Sequence, residues 1–395
     1  MDMSCLPDDA ARQHPSFFET RQDELRRELA RHNADQALIE QAIEAGYFAW
    51  QIGQLGSGEV RPCVMDSYYG NKYAGLIEYD RFVRYLRNGE FDALPARFAE
   101  YSVKSIGEVR AILSRPENAR YAGRMSFRGQ TKDHWVKRLV PNPSAKREDG
   151  QERMIVPSWW REWINKNPAE RQAKPSGSVF SSFVLAAPLL YHDIRDWRRH
   201  YRGDEHRGGE ACEVCIEMAE RRETHLFEAP FSKDVPLLEQ HYGIPTIGLD
   251  VTFDPAVAFF FASHRFVPLQ NGRASFELVD RGNHQGVVYC FVFEWPPVRE
   301  TEYLIRDISL FKNLPPIRPI RQRCGISAFH MNEIAAAARD LHAVFYLDAA
   351  YDPSALPTVS DLFPTRNEDE FYGALLELRE LNPETWGEII EYEGL

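Results

Sequence analysis

Leu249-Asp250-Val251-Thr252-Phe253-Asp254-Pro255-Ala256-Val257-Ala258-Phe259-Phe260-Phe261-Ala262 is the stretch on which the fold turns. Asp254 offers a side-chain oxygen to the free amides of a first helical turn, and Pro255 brings a preset φ to the first helical position. A helix therefore starts here, and its Phe run belongs to a core. Asp250 and Thr252 then fall at a strand-to-helix turn, which exposes side chains and backbone donors to a cleft. The plainer alternative is that both residues only cap.

Working backwards, Gln240-His241-Tyr242-Gly243-Ile244-Pro245-Thr246 closes a helix predicted over Asp234 to Tyr242, with Gly243 as its stop. His241 taken alone reads as a satisfied core histidine. Further back, residues 208–228 read as another helix, and Ile106, Val109, Ile112 and Leu113 mark a short amphipathic helix broken by Arg115-Pro116. A strand into Phe127 is expected after it. Residues 16–46 have apolar positions at helical intervals, among them Leu25, Leu29, Ile39 and Ile43, and a stop at Gly46. Forwards, Val287 to Phe293 is an unbroken β-branched and aromatic run, the mark of a buried strand. His342 to Leu347 reads likewise, and Asn367 to Leu381 reads as an acidic helix. Strands and helices intermix without regular alternation, and no G-x-G-x-x-G follows a strand. The expected class is α+β, a mixed split sheet with flanking helices.

The whole chain has 395 residues, 44% hydrophobic, 12% aromatic and 27% charged, which is ordinary globular composition with room for two or three units. The domains expected are a mainly helical region over 1–100, a main domain over 101–380 and an acidic tail over 381–395. Met1 to Ser16 lacks an apolar signal core and no run approaches 18 apolar residues, so a cytoplasmic protein without a membrane partner is expected. Six scattered cysteines do not form a disulfide framework. Much of the net charge of −12 sits in residues 351–395, where eleven acids face only Arg366 and Arg379. That balance argues against broad nucleic-acid coating, which needs clustered Lys and Arg, but leaves room for a local basic groove.

Three segments set polar groups beside glycine in apolar surroundings. In Ser126-Phe127-Arg128-Gly129-Gln130 a glycine would let a phosphate approach the backbone while the guanidinium forks onto two oxygens. Residues 121–147 add to this seven Lys/Arg against the single acid Asp133. A surface Arg in a turn is the alternative. The second segment is Gln240 to Ala262. The third is Arg318-Pro319-Ile320-Arg321-Gln322-Arg323-Cys324-Gly325, where Gln322 offers a donor and an acceptor suited to ribose hydroxyls and the arginines otherwise make a solvated face. Cys212-x-x-Cys215 is half of a zinc pattern with no second pair, so no metal is expected. No G-x-S-x-G, P-loop or H-E-x-x-H occurs.

Together, Phe-Arg-Gly-Gln, the long middle motif and the Arg-x-x-x-Gln stretch resemble the FRG domain family over residues 100–380, with Leu362-Phe363-Pro364 like its closing segment. The FRG family is similar to the ADP-ribosyltransferase superfamily. By that resemblance the substrate would be NAD. Arg128 would fix its phosphates or nicotinamide ribose, Thr252 would brace the site, and Gln322 would hold the third motif, these three being the catalytic set. Gly129, Gln130, His241, Thr246 and Asp250 would line the NAD site, and Tyr242 or Phe253 would stack on nicotinamide. The implied activity is transfer of ADP-ribose to a protein or nucleic-acid acceptor by a toxin or phage-defence effector, with an antitoxin or chaperone as a further partner. NAD hydrolysis, or binding of NAD, ADP-ribose or nucleic acid without catalysis, are the alternatives. The chain departs from the family at Ile247-Gly248 and Val251, where Arg-Leu and Trp are usual. Gln322 stands where the superfamily's catalysts carry Glu.

Overall fold

The computed structural model describes residues 15–53, 60–69, 76–91, 98–157, 241–243, 249–280, 285–293, 298–299, 316–327, 336–381, 383 and 389–392. In chain order these form α1 (Pro15–Arg31), α2 (Gln36–Glu44), β1 (Tyr47–Gly53), β2 (Val60–Asp66), β3 (Leu76–Ile77), α3 (Tyr79–Asn88), β4 (Ala99–Val103), α4 (Ile106–Leu113), α5 (Pro116–Ala119), β5 (Met125–Gln130), β6 (Trp135–Val136) and β7 (Glu152–Arg153). After them come β8 (Leu249–Thr252), α6 (Pro255–Ser263), β9 (His264–Pro268), β10 (Arg273–Leu278), β11 (Val287–Val292), β12 (Val298–Arg299), α7 (Ile317–Arg321), β13 (Cys324–Ser327), β14 (Leu341–Leu347), α8 (Val359–Leu362), α9 (Glu370–Leu381) and β15 (Glu391–Tyr392). The class is mixed α+β. The chain groups into two units, each assembled from separated stretches: Met1–Phe98, Asp133–Ser176 and Phe329–Leu341 in one, Ala99–Lys132, Gly177–Ala328 and His342–Leu395 in the other.

This grouping differs from contiguous domains over 1–100 and 101–380, because residues from 133 onward return to the first unit. It also splits the basic segment 121–147, with Arg124, Arg128 and Lys132 in the second unit and Lys137, Arg138, Lys146 and Arg147 in the first. In the first unit α1 and α2 bury Leu25, Leu29, Ile39 and Ile43 against Tyr47, Val64, Phe82 and Val140, which gives the apolar stripe its partner inside the unit. Asp35 caps α2 through Leu38 N at 3.0 Å, and Asn33 (φ 63) makes the break that divides the expected 16–46 helix in two. The region is not helical throughout: β1, β2 and β3 form an antiparallel sheet, as β-branched and aromatic residues from Tyr47 onward favour. The predicted helices over 208–228 and most of 234–242 lie outside the described residues.

In the second unit seven strands run in the order β12-β13-β8-β5-β11-β14-β4, with β14 and β4 parallel and β5 antiparallel to both neighbours. Asp254 Oδ1 accepts from Ala256 N at 2.9 Å and Pro255 opens α6, as the sequence dictates. Helix α6 lies on the face of β5 that carries Phe127 and Gly129, and its Ala258, Phe259 and Ala262 join Met125, Phe127, Val288, Cys290 and Phe345 in one buried cluster. Burying a phenylalanine of this kind contributes roughly 2–3 kcal/mol. Residues Ile389 to Tyr392 are no free tail. Strand β15 pairs parallel with β10, and Ile389 is buried.

Candidate functional site

Strand alternation sets two kinds of side chain on β5. Met125, Phe127 and Gly129 face α6, while Ser126, Arg128 and Gln130 leave the opposite face, beside Val287, Tyr289 and Phe291 of β11. Three buried polar atoms on that face, Ser126 Oγ, Arg128 Nε and Gln130 Oε1, have no hydrogen-bond partner. The guanidinium of Arg128 is half-buried, and burial pushes its pKa down against the pull of Asp250 and Tyr289. Strands β5 and β8 share one bridge pair, Phe127 with Thr252. Past that pair, the Asp250 carbonyl accepts from Arg128 Nη1 at 2.6 Å.

Gly129 has a packing role in the fold. A Cβ placed there would sit 1.8 Å from the Ala258 carbonyl oxygen, so the missing side chain admits the backbone of α6.

Thr252, paired with Phe127 and with Cys324, starts from the α6 side of the sheet. Its hydroxyl donates to the Gln322 carbonyl at 2.7 Å and accepts from Asp254 N at 3.1 Å, which ties the end of β8 to the end of α7. Arg323 follows with φ 45, a left-handed turn that returns the chain to β13, and its carbonyl accepts from Phe253 N at 2.9 Å. Gln322 itself is buried, and both ends of its amide are engaged. Nε2 donates to the Leu362 carbonyl at 3.3 Å, and Oε1 lies 3.1 Å from His241 Nδ1. That amide therefore fixes its neighbours, and in this arrangement neither end is turned to a ribose.

His241 is buried and its Nε2 has no hydrogen-bond partner. It lies 3.5 Å from Asp250 Oδ1, on a carboxylate with a third of its side chain exposed. Burial lowers the His241 pKa, Asp250 opposes that, and Arg318 adds to it. Asp250 is thus the meeting point of the cluster, main chain toward Arg128 and carboxylate toward His241. The segments around Arg128, His241, Asp250, Thr252 and Gln322 are brought together by these contacts, although the side chains of Arg128 and Thr252 start from opposite faces of the sheet.

Tyr242 is not available for stacking on a nicotinamide. Its ring packs on Tyr372 at 5.7 Å and lies under Arg318 at 4.7 Å, and its hydroxyl donates to Asp369 Oδ2 at 2.8 Å. Phe253 is half-buried at the start of the turn into α6, and Thr246 lies outside the described residues. Sequence reasoning missed Arg318 and Asp369. Arg318 is fully buried, its Nη1 donates to the His241 carbonyl at 2.7 Å, and Tyr242, Tyr372, Tyr392 and Phe363 surround its guanidinium at 4.2–5.7 Å. Asp369 accepts from the amides of Ile317, Arg318 and Tyr372. An Arg in a run of arginines and an Asp in an acidic stretch carry no local sign that they are core residues.

A cavity of about 180 Å³ lies elsewhere, lined by Ala262, Ser263, Val279, Gln285, Gly286 and Leu347 among others. It opens at the C-terminal end of α6, about 13 Å along a nine-residue helix from Asp254. Among the described residues no group of His, Cys, Asp or Glu is placed to hold a metal ion, and no helix is long and apolar enough to cross a membrane. Cys63 and Cys290 are buried free thiols, and Cys324 is buried at the start of β13. Comparison of the chain with protein-family models, with curated proteins and with solved structures finds no significant match to any of them.

Proposed function

We infer that the second unit binds NAD at the end of β8 and transfers its ADP-ribose to a protein or nucleic-acid acceptor, as an FRG-type, ADP-ribosyltransferase-like domain. One observation carries the reading. Three segments that resemble the family's motifs, 122, 81 and 70 residues apart in their pairings, meet through Arg128 to the Asp250 carbonyl, His241 to Gln322 and Thr252 to Gln322. Sites assembled from dispersed polar residues are what ligand binding requires, and a chain gains nothing in stability by leaving polar atoms such as Arg128 Nε and His241 Nε2 unpaired. In this reading Arg128 holds the pyrophosphate by a charge-assisted contact, Gln130 offers an acceptor to a sugar hydroxyl, and Thr252 keeps β8 and α7 together beneath them. NAD is the substrate and no metal takes part. A cytoplasmic toxin or defence effector, kept in check by an antitoxin or chaperone, is the setting that the resemblance implies.

A noncatalytic NAD or ADP-ribose module is the second reading, and the engaged, neutral amide of Gln322 favours it. Titration calorimetry of the full chain with NAD, followed by transfer from labelled NAD to protein and nucleic-acid acceptors, separates the two. Binding with turnover, both weakened in Arg128→Ala, supports transfer. Binding without turnover supports the module, and absence of binding removes both.

A further inference from the structure

The amide of Gln322 decides where the proton of His241 sits. Its Nε2 must donate to the Leu362 carbonyl at 3.3 Å, so Oε1 is the atom that faces His241 Nδ1 at 3.1 Å. A carbonyl oxygen only accepts, and Nδ1 therefore carries the hydrogen. In the neutral ring Nε2 is then a bare lone pair, buried, with no partner, 3.5 Å from a carboxylate oxygen of Asp250. Two acceptors face each other, and a single proton between them satisfies both. The carboxylate is also the part-exposed member of the pair, so it is the one an incoming hydroxyl meets.

We propose that Asp250 and His241 form the proton-accepting pair of this site, Asp250 taking the proton of an attacking hydroxyl and His241 Nε2 holding it behind. The proposal rests on the NAD reading for its substrate. The acceptor class is water or an alcohol. Its oxygen bonds to C1′ of the nicotinamide ribose, and the C1′–N bond breaks with its electron pair going to nicotinamide, which leaves neutral. The hydroxyl proton passes to Asp250 Oδ1 and is shared with His241 Nε2, so the charges balance. The Asp250 carboxylate also faces the positive charge that develops at C1′, a task the neutral amide of Gln322 cannot perform. Other charged or titratable groups reach the pair from the packed elements: Arg318 from α7 through the His241 carbonyl, Arg128 from β5 through the Asp250 carbonyl, and Tyr392 from β15, which feels the Asp250 charge.

Two measurements on the full chain test this. The first needs no NAD: nitrogen-15 spectra of histidine-labelled protein follow His241 through a pH titration. The expected result is a neutral ring protonated at Nδ1, with a midpoint that falls by about one pH unit in Asp250→Asn. A ring protonated at Nε2, or a midpoint unmoved by the substitution, overturns the pairing. The second is the pH profile of kcat for NAD cleavage. Asp250→Asn should lower kcat about 100-fold or more with little change in NAD affinity, and Asp250→Glu should restore part of it. Unimpaired kcat in Asp250→Asn overturns the catalytic role while leaving the NAD reading intact. A wild-type chain that neither binds nor cleaves NAD overturns the NAD reading, and the transfer step with it, whatever the spectra show. Thermal midpoints of the variants close to wild type are expected, because Asn is isosteric and the side chain is part-exposed.

Discussion

Arg138 in the first unit and Arg318 in the second are both buried among aromatic side chains, and the two are held differently. In the first unit Arg138 donates to both oxygens of Asp66 at 2.8–2.9 Å, to both oxygens of Glu152 at 2.7 Å and to the Ala45 carbonyl at 2.9 Å, with Tyr68 at 4.2 Å from its guanidinium. Burial works against its charge, yet the two carboxylates more than offset this and raise its pKa well above the ordinary value. In the second unit Arg318 donates once from its guanidinium, to the His241 carbonyl, and is otherwise held by four rings, with Nε and Nη2 unpartnered. The first arrangement leaves the cation saturated, which is what a structural brace needs. The second stands directly behind His241, where the polar atoms are not all paired. Incomplete pairing next to a part-exposed carboxylate is the feature of the second unit on which the proposed ligand site rests.

The comparison can be broken by urea unfolding. Arg138→Met leaves Asp66 and Glu152 buried without their cation and is expected to cost about 3–5 kcal/mol. Arg318→Met gives up one hydrogen bond and a desolvated cation–π contact, and about 1–2 kcal/mol is expected. Equal costs, or the reverse order, would show that the two rings do the same work.

Gly129→Ala sharpens the account of the second unit. Its Cβ would overlap the Ala258 carbonyl, so β5 and α6 must separate, at roughly 2–3 kcal/mol by thermal unfolding. If the variant is as stable as wild type, the glycine is there for a ligand after all. Gln322→Glu replaces the donor to the Leu362 carbonyl with an acceptor, and a loss of about 1–3 kcal/mol is expected together with no gain in NAD cleavage. Increased cleavage would return the third motif to a catalytic role.

The smallest effect concerns pH. Burial holds the folded pKa of His241 below its ordinary value of about 6.5, so this residue's contribution is present above that pH. It is lost as pH falls from there toward the folded pKa, because the unfolded chain takes up a proton that the folded one does not. Across that window the second unit should lose at most about 1.4 kcal/mol per pH unit, and His241→Asn should flatten the slope. A slope unchanged by that substitution assigns the acid sensitivity elsewhere.

The sequence by itself determined the local events. Asp254-Pro255 starts a helix, Val287 onward makes a buried strand, and the break before Pro116 falls where predicted, because capping, φ restriction and β-branching act over a few residues. It also picked out Arg128, His241, Asp250, Thr252 and Gln322, polar residues set among apolar ones. What only the tertiary structure decided is what each of them faces. Gly129 answers to a helix more than 120 residues away in sequence. Tyr242 is covered by Arg318 and Tyr372, and the amide of Gln322 is divided between Leu362 and His241. The first unit likewise completes its ionic core with Arg138 and Glu152, from a stretch that the chain reaches only after building part of the other unit. Hydrogen bonds and packing are satisfied by whichever group arrives in space, and that arrival has no local signature in the order of residues.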